Sequence, residues 1–140
     1  MDQELVTQAF AAQMYTAVID VVQQLDPLTG DDAHADRTAR VVKDVAGWLE
    51  GITPEDLDGM AEHNEYLPWD RWMPDAEGYD ALAVCDAAQL RIFDVLKVAQ
   101  ENHLDAYQLV HGAAVYLSDM TKHKAAWLAE RAANLLAAGM

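Results

Sequence analysis

Apolar residues recur every three or four positions along most of this chain, which is the spacing of one face of an α-helix. The first such stretch covers residues 3–25, where the recurring apolar positions are Phe10, Met14, Val18, Val21 and Leu25. Its apolar face is broad, so we expect this helix to be buried against more than one neighbour. Pro27 and Gly30 follow it and predict a turn.

Four more stretches carry helical patterns, at residues 32–50, 54–64, 78–102 and 104–138. In the last stretch the apolar face shifts around the helix, which predicts a bend or break near residues 118–121. Thr53 followed by Pro54 and two acidic residues is typical of a helix start. No stretch alternates apolar and polar residues as a half-buried strand does.

These patterns predict an all-α fold: a single helical domain over residues 1–140, built as a bundle of five or six helices. Residues 66–78 interrupt the pattern. They contain Pro68, Pro74 and Gly78, which disfavour a regular helix, so we expect an irregular, aromatic and acidic segment there. A chain of 140 residues with 52% hydrophobic residues can bury one core of its own.

Composition also limits where the protein works. No apolar run approaches the roughly 20 residues that cross a membrane, and the acidic N-terminus has no targeting pattern. Cys85 is the only cysteine, which excludes an internal disulfide and fits a reducing compartment. We therefore expect a cytoplasmic protein that makes no contact with membranes.

The formal net charge is -15, and its distribution points to a kind of partner. Residues 50–80 hold ten acidic residues and a single basic one, Arg71, whereas residues 81–140 are nearly balanced. Direct nucleic-acid binding needs clustered Lys and Arg, so we do not expect it. A strong negative field favours a protein partner with a basic surface. The alternative is that the acidity only solvates the protein or adapts it to high salt.

The central region also supplies the candidate partner-binding residues, because it combines carboxylates with the aromatic side chains that dominate many interfaces. These candidates are Glu55, Asp56, Asp58, Glu62, Glu65, Tyr66, Trp69, Asp70 and Trp72. Two arrangements are open for the two tryptophans. Either they lie on the surface as binding anchors, or they turn inward and close the bundle.

The sequence predicts no catalytic residue and no cofactor. Ser118, the only serine, has no nucleophile motif around it, and Cys85 lies on an apolar helix face where a thiol usually only packs. Asp119 and His123 share a helix face and could supply two metal ligands. The sequence nominates no third or fourth ligand for that site.

A second metal pattern is spread over three predicted helices. His34 opens the stretch HADRTARVVKDVAGWL, His63 lies in MAEHNEYLP, and Asp86 lies in LAVCDAAQL. This order is similar to that of the HD-domain metal-dependent phosphohydrolases. The resemblance implies an all-α fold, a divalent metal held by these three residues, and hydrolysis of a nucleotide or related phosphate. Asn64 replaces the Asp of the family's His-Asp dipeptide, so a degenerate relative with a dead site fits better than an active enzyme.

Three functional hypotheses follow. The first is that this small acidic protein binds a macromolecular partner through its acidic and aromatic surface. On this hypothesis it is a binding protein and not an enzyme. One version of it is a nucleic-acid mimic that inhibits a nucleic-acid-binding defence protein, as some small viral inhibitors do. The second is a homo-oligomerising structural or adaptor bundle, and the third is the degenerate HD-domain-like phosphohydrolase.

Overall fold

The computed structural model describes residues 3–25, 31–63, 67–74, 79–120 and 122–137. Within these ranges there are seven helices and no strand, which confirms the predicted all-α fold. The helices are α1 (Gln3–Leu25), α2 (Asp31–Glu50), α3 (Pro54–His63), α4 (Trp69–Trp72), α5 (Tyr79–Glu101), α6 (Ala106–Ser118) and α7 (Lys122–Ala137).

The helix limits follow the sequence pattern closely. The break predicted near residues 118–121 is present, since α6 ends at Ser118 and α7 begins at Lys122. The predicted irregular segment at 66–78 is only partly described, over residues 67–74, and there it contains one short helical turn, α4. The predicted break already accounts for a sixth helix, so this short turn raises the count of helices in the described residues to seven, above the expected five or six.

Local hydrogen bonds explain why several helices begin where they do. At the start of α3 the Asp56 N–H donates to Thr53 Oγ1 at 3.2 Å, and the Thr53 N–H donates to Asp56 Oδ2 at 3.2 Å. This reciprocal pair is a capping box, which satisfies two backbone donors that the helix itself leaves unpaired. At the start of α6, Asp105 Oδ1 accepts from the Gln108 N–H at 3.1 Å.

Helix α5 ends in a left-handed residue that is not glycine. His103 has φ of 59°, and its N–H donates to the Gln100 carbonyl at 3.0 Å, while the Leu104 N–H donates to the Ala99 carbonyl at 3.0 Å. These two bonds are those of a Schellman motif, in which glycine usually occupies the left-handed position. The chain turns here toward α6 at a cost in backbone strain.

Helix α1 lies at the centre of the bundle and packs against α2, α5, α6 and α7. Its buried residues surround almost the whole helix: Val6, Thr7, Ala9, Phe10, Ala11, Ala12, Met14, Ala17, Val18, Val21 and Val22. The expected burial against several neighbours is therefore confirmed. The ion pair between Asp20 and Arg91, at 2.7 Å, and the Gln3–Asp105 hydrogen bond show that α1 and α5 run antiparallel.

By length and composition alone, α1 could also cross a membrane. Such a signal near an N-terminus is weak evidence, because buried core helices and signal sequences have the same properties. Most of the apolar stretch of α1 is buried against other helices in this structure.

We expect Thr53→Ala to lower the free energy of unfolding by about 1 kcal/mol, because the α3 capping box loses one of its two hydrogen bonds. Urea denaturation followed by far-UV circular dichroism measures the loss. Thr16→Ala is the matched control, since the Thr16 hydroxyl bonds the Gln13 carbonyl inside α1, where alanine is well tolerated. Equal losses in the two variants would contradict a capping role for Thr53.

We expect His103→Gly to raise the free energy of unfolding by about 0.5–1 kcal/mol. Glycine removes a left-handed strain of about 1–2 kcal/mol and gives back about 0.5–1 kcal/mol through the greater entropy of the unfolded chain. Thermal and urea unfolding measure the change. His111→Gly, inside α6, should instead destabilise the protein, and a loss at position 103 as well would show that the His103 side chain matters more than its backbone.

Candidate functional site

The carboxylates predicted for partner binding begin on the first turn of α3. Glu55, Asp56 and Asp58 are exposed, whereas Leu57 between them is buried in the core. The capping box already engages the Asp56 carboxylate, since it accepts from the Thr53 backbone. Glu55 and Asp58 therefore form the free part of this acidic surface, and none of the described residues forms an ion pair with either of them.

Helix α4 separates its aromatic and charged residues. Trp69 and Trp72 are each 3% exposed, while Asp70 and Arg71 between them are exposed. The two tryptophans are therefore not surface anchors in this structure, which corrects that part of the predicted site. The inward arrangement, which the sequence left open, is the one adopted.

Edge-to-face contacts between indole rings accompany the inward orientation of both tryptophans. The Trp72 ring meets the Trp69 ring at 5.2 Å between centroids and the Trp48 ring of α2 at 5.8 Å, both in an edge-to-face geometry. Such pairs stabilise a structure beyond the area that they bury. We call Trp48, Trp69 and Trp72 the tryptophan cluster.

Three predicted site residues cannot be placed. Glu65 and Tyr66 lie outside the described residues, and so does the side chain of Glu62, although its backbone belongs to α3. The acidic surface is therefore defined here by Glu55, Asp58 and Asp70.

One buried hydrogen bond attaches the aromatic segment to α5. The Leu67 N–H donates to Gln89 Oε1 at 2.8 Å, and the Gln89 side chain is itself buried. The neighbouring Trp69 Nε1–H is buried and meets no hydrogen-bond acceptor among the described residues. In the described part of the segment, apolar packing and this backbone hydrogen bond hold the chain in place, and the unpaired indole donor carries an energetic cost.

The residues of the alternative metal site are spread over three helices. His34 is half-buried on α2, Asp86 is exposed on α5, and the side chain of His63 lies outside the described part of the chain. Among the described side chains, no group of three or more His, Cys, Asp or Glu could hold a metal ion. Cys85 is buried, as its place on the apolar face of α5 predicts.

The remaining acid–base candidates lie on, or at the end of, different helices. Asp119 is exposed at the end of α6, and the side chain of its proposed companion ligand His123 is outside the described residues. On α1, burial raises the pKa of Tyr15 above its usual 10.0, so this hydroxyl stays protonated near neutral pH. Tyr15 is therefore unsuited to act as a general base there.

The structure also exposes an aromatic residue that the sequence reasoning missed. Trp127 on α7 is 53% exposed, and the Arg131 guanidinium lies 4.8 Å from the centre of its ring. The signal was present in the helical spacing, because Trp127 falls outside the apolar arc through Ala125 and Leu128. Both residues of that arc are buried, and Trp127 lies on the solvent side.

An open cleft of about 420 Å³ lies between the antiparallel helices α1 and α5. Its lining is Asp20, Gln24, Ala83, Val84, Ala87, Ala88 and Arg91. The ion pair between Asp20 and Arg91 bridges the two helices at one end, and small side chains of α5 form the floor. Sequence reasoning could not find this cleft, since it depends on how two distant helices meet.

Comparison with models of known protein families, with curated proteins and with solved structures finds no match. The resemblance to HD-domain phosphohydrolases therefore gains no support from related proteins. A functional assignment has to start from the surfaces of this chain.

We expect Gln89→Leu to destabilise the protein by about 1–3 kcal/mol, because the buried Leu67 N–H loses its acceptor. Urea denaturation measures the change in the free energy of unfolding. Gln100→Leu is the matched control, since Gln100 is an exposed glutamine on the same helix. A Gln89 variant as stable as the Gln100 variant would show that the anchor contributes nothing.

Proposed function

We propose that this protein binds a basic surface of another protein through the carboxylates that α3 and α4 expose. The observation that carries the proposal is the exposure of Glu55, Asp58 and Asp70 in a region whose described leucine, methionine and tryptophan side chains are buried. A carboxylate that serves the fold is usually paired or capping, as Asp56 and Asp20 are. The three others are available to a partner.

Burial of Trp69 and Trp72 makes the proposed interaction mainly electrostatic. With Trp69 and Trp72 buried, the described side chains of the α3–α4 region offer charge rather than large aromatic anchors. Exposed charges steer association and set specificity, and their effect weakens as salt screens them. The proposal therefore implies fast, salt-sensitive binding.

A nucleic-acid-binding protein is the kind of partner that we favour. Such proteins carry clustered Lys and Arg that contact phosphates, and helical carboxylates can occupy the same positions. The net charge of -15 supports this view, because it repels nucleic acid and attracts proteins that bind nucleic acid. In this version the protein acts as a nucleic-acid mimic and competes with the natural ligand of its partner.

The proposal is tested by capturing partners from native cells with the tagged full-length protein and measuring the affinity of the purified pair. We expect the affinity to fall roughly tenfold between low and moderate salt. The triple variant Glu55→Gln, Asp58→Asn, Asp70→Asn should weaken binding by roughly tenfold or more at low salt, because it removes the charges that meet the partner.

The matched control is Asp36→Asn, Asp44→Asn, Glu130→Gln, which removes three exposed carboxylates from other parts of the protein. It changes the net charge equally and should leave binding almost unchanged. Salt-insensitive binding would contradict the proposal. Equal losses in the two triple variants would show that overall charge, and not the α3–α4 surface, attracts the partner.

A further inference from the structure

The exposed side of α5 combines an apolar stripe with acidic residues next to the cleft between α1 and α5. Leu82 is 52% exposed and Leu90 is 64% exposed, two turns apart on this helix. Asp86 lies between them at four-residue spacing, and Asp94 continues the stripe; both are exposed. Residues four apart are neighbours on a helix surface, so the leucines and carboxylates alternate along one line.

This stripe borders the floor of the cleft. Ala87 lines the cleft and lies three residues before Leu90, which makes the two side chains neighbours on the same helix. The floor residues Ala83 and Ala87 carry only methyl groups, so another backbone can approach closely. The far wall is α1, where Gln24 supplies an exposed amide.

We propose that the cleft between α1 and α5 is the docking site for a basic amphipathic helix of the partner protein. Apolar side chains of that helix would enter the cleft over Ala83 and Ala87 and pack beside Leu90. Its Lys or Arg side chains would reach Asp86 and Asp94. This inference rests on the proposed function for the basic character of the partner, and it adds a second surface and the partner's secondary structure.

The dimensions of the cleft fit this mode of recognition. From Ala83 to Arg91 the lining of α5 extends over two helical turns, or about 12 Å. A helix bound in a groove uses anchors at positions i, i+3 or i+4, and i+7, which together span about 10 Å. The cleft is a partly open groove and not an enclosed cavity, which suits a bound helix better than a buried small molecule.

Charge selects a basic helix over a second copy of this chain. Two copies, each with a net charge of -15, would repel one another, and each would bring Asp86 and Asp94 to the contact. At the cleft itself, Arg91 is already neutralised by Asp20, whereas Asp86 and Asp94 are exposed beside it. A partner with cations flanking its apolar face complements this arrangement.

The test uses the full-length protein labelled with ¹⁵N and a synthetic peptide of about 18 residues, long enough to form an isolated helix, with leucines on one face and lysines on the other. Amide spectra are recorded during titration at about 0.15 M salt. We expect the largest shifts at Gln24, Ala83, Ala87 and Leu90. A peptide with serines in place of the leucines keeps the charge and should not shift these residues.

Ala87→Arg should weaken peptide binding by roughly tenfold or more, because it fills the cleft and places a cation against a basic ligand. Ala126→Arg is the matched control, since Ala126 is an exposed alanine on α7 and the change in charge is identical. Both positions are exposed, so we expect both variants to melt like the wild type. Leu90→Gln, which keeps the backbone and removes the apolar wall, provides a second test.

Two results would overturn the docking site. One is that the leucine–lysine peptide does not occupy the cleft. In that case it either fails to bind, or its shifts are confined to α3 and the Ala87→Arg variant binds it as tightly as the wild type does. The other is a dimer in sedimentation experiments that Ala87→Arg dissociates, because the cleft would then hold a second copy. The proposed function fails separately, if the α3–α4 triple variant keeps its affinity for the captured partner while the peptide still occupies the cleft.

Discussion

The burial of α1 on nearly every side is the constraint on which the other helices depend. Phe10, Met14 and Val18 are fully buried along one face of α1, and the helix as a whole packs against α2, α5, α6 and α7. Helix α5 has the same length, 23 residues, and runs antiparallel along α1, so these two helices define the long dimension of the bundle at about 35 Å. The chain between α6 and α7 must then break, because a single straight helix could not stay in contact with α1 over both segments.

The tryptophan cluster closes the bundle for the same reason, because it removes apolar surface from water. Helix α4 has a single turn, so Trp69 and Trp72, three residues apart, face the same side. When that side turns to Trp48, Asp70 and Arg71 must face solvent. A single helical turn therefore buries the aromatic side chains and exposes the charged ones. In this way the central region can be both aromatic and acidic.

Sequence pattern predicted the helices well because their limits are set locally. Thr53 and Asp105 cap the helices that they precede, and the shift of the apolar face marked the break after Ser118. The direction of the tryptophans in α4 was not predictable, since a single turn has no periodicity and the ring of Trp48 comes from a distant helix. The cleft is likewise a product of two helices that are far apart in sequence. Among the site residues, Glu55, Asp58 and Asp70 are exposed, as their sequence context predicts. Trp69 and Trp72 are buried and are therefore not available as surface anchors.

The grouping of the tryptophans also determines what spectroscopy will report on this protein. Three of the four tryptophans lie in one cluster, and their emission therefore depends on whether α4 is docked against α2. Trp127 is exposed beside a cation and responds to solvent rather than to packing. Intrinsic tryptophan fluorescence will therefore report whether the central segment is packed against α2. Far-UV circular dichroism will report the helix content of the bundle. Coincident transitions would mean that the segment and the bundle unfold as one cooperative unit, and separate ones that the segment opens first.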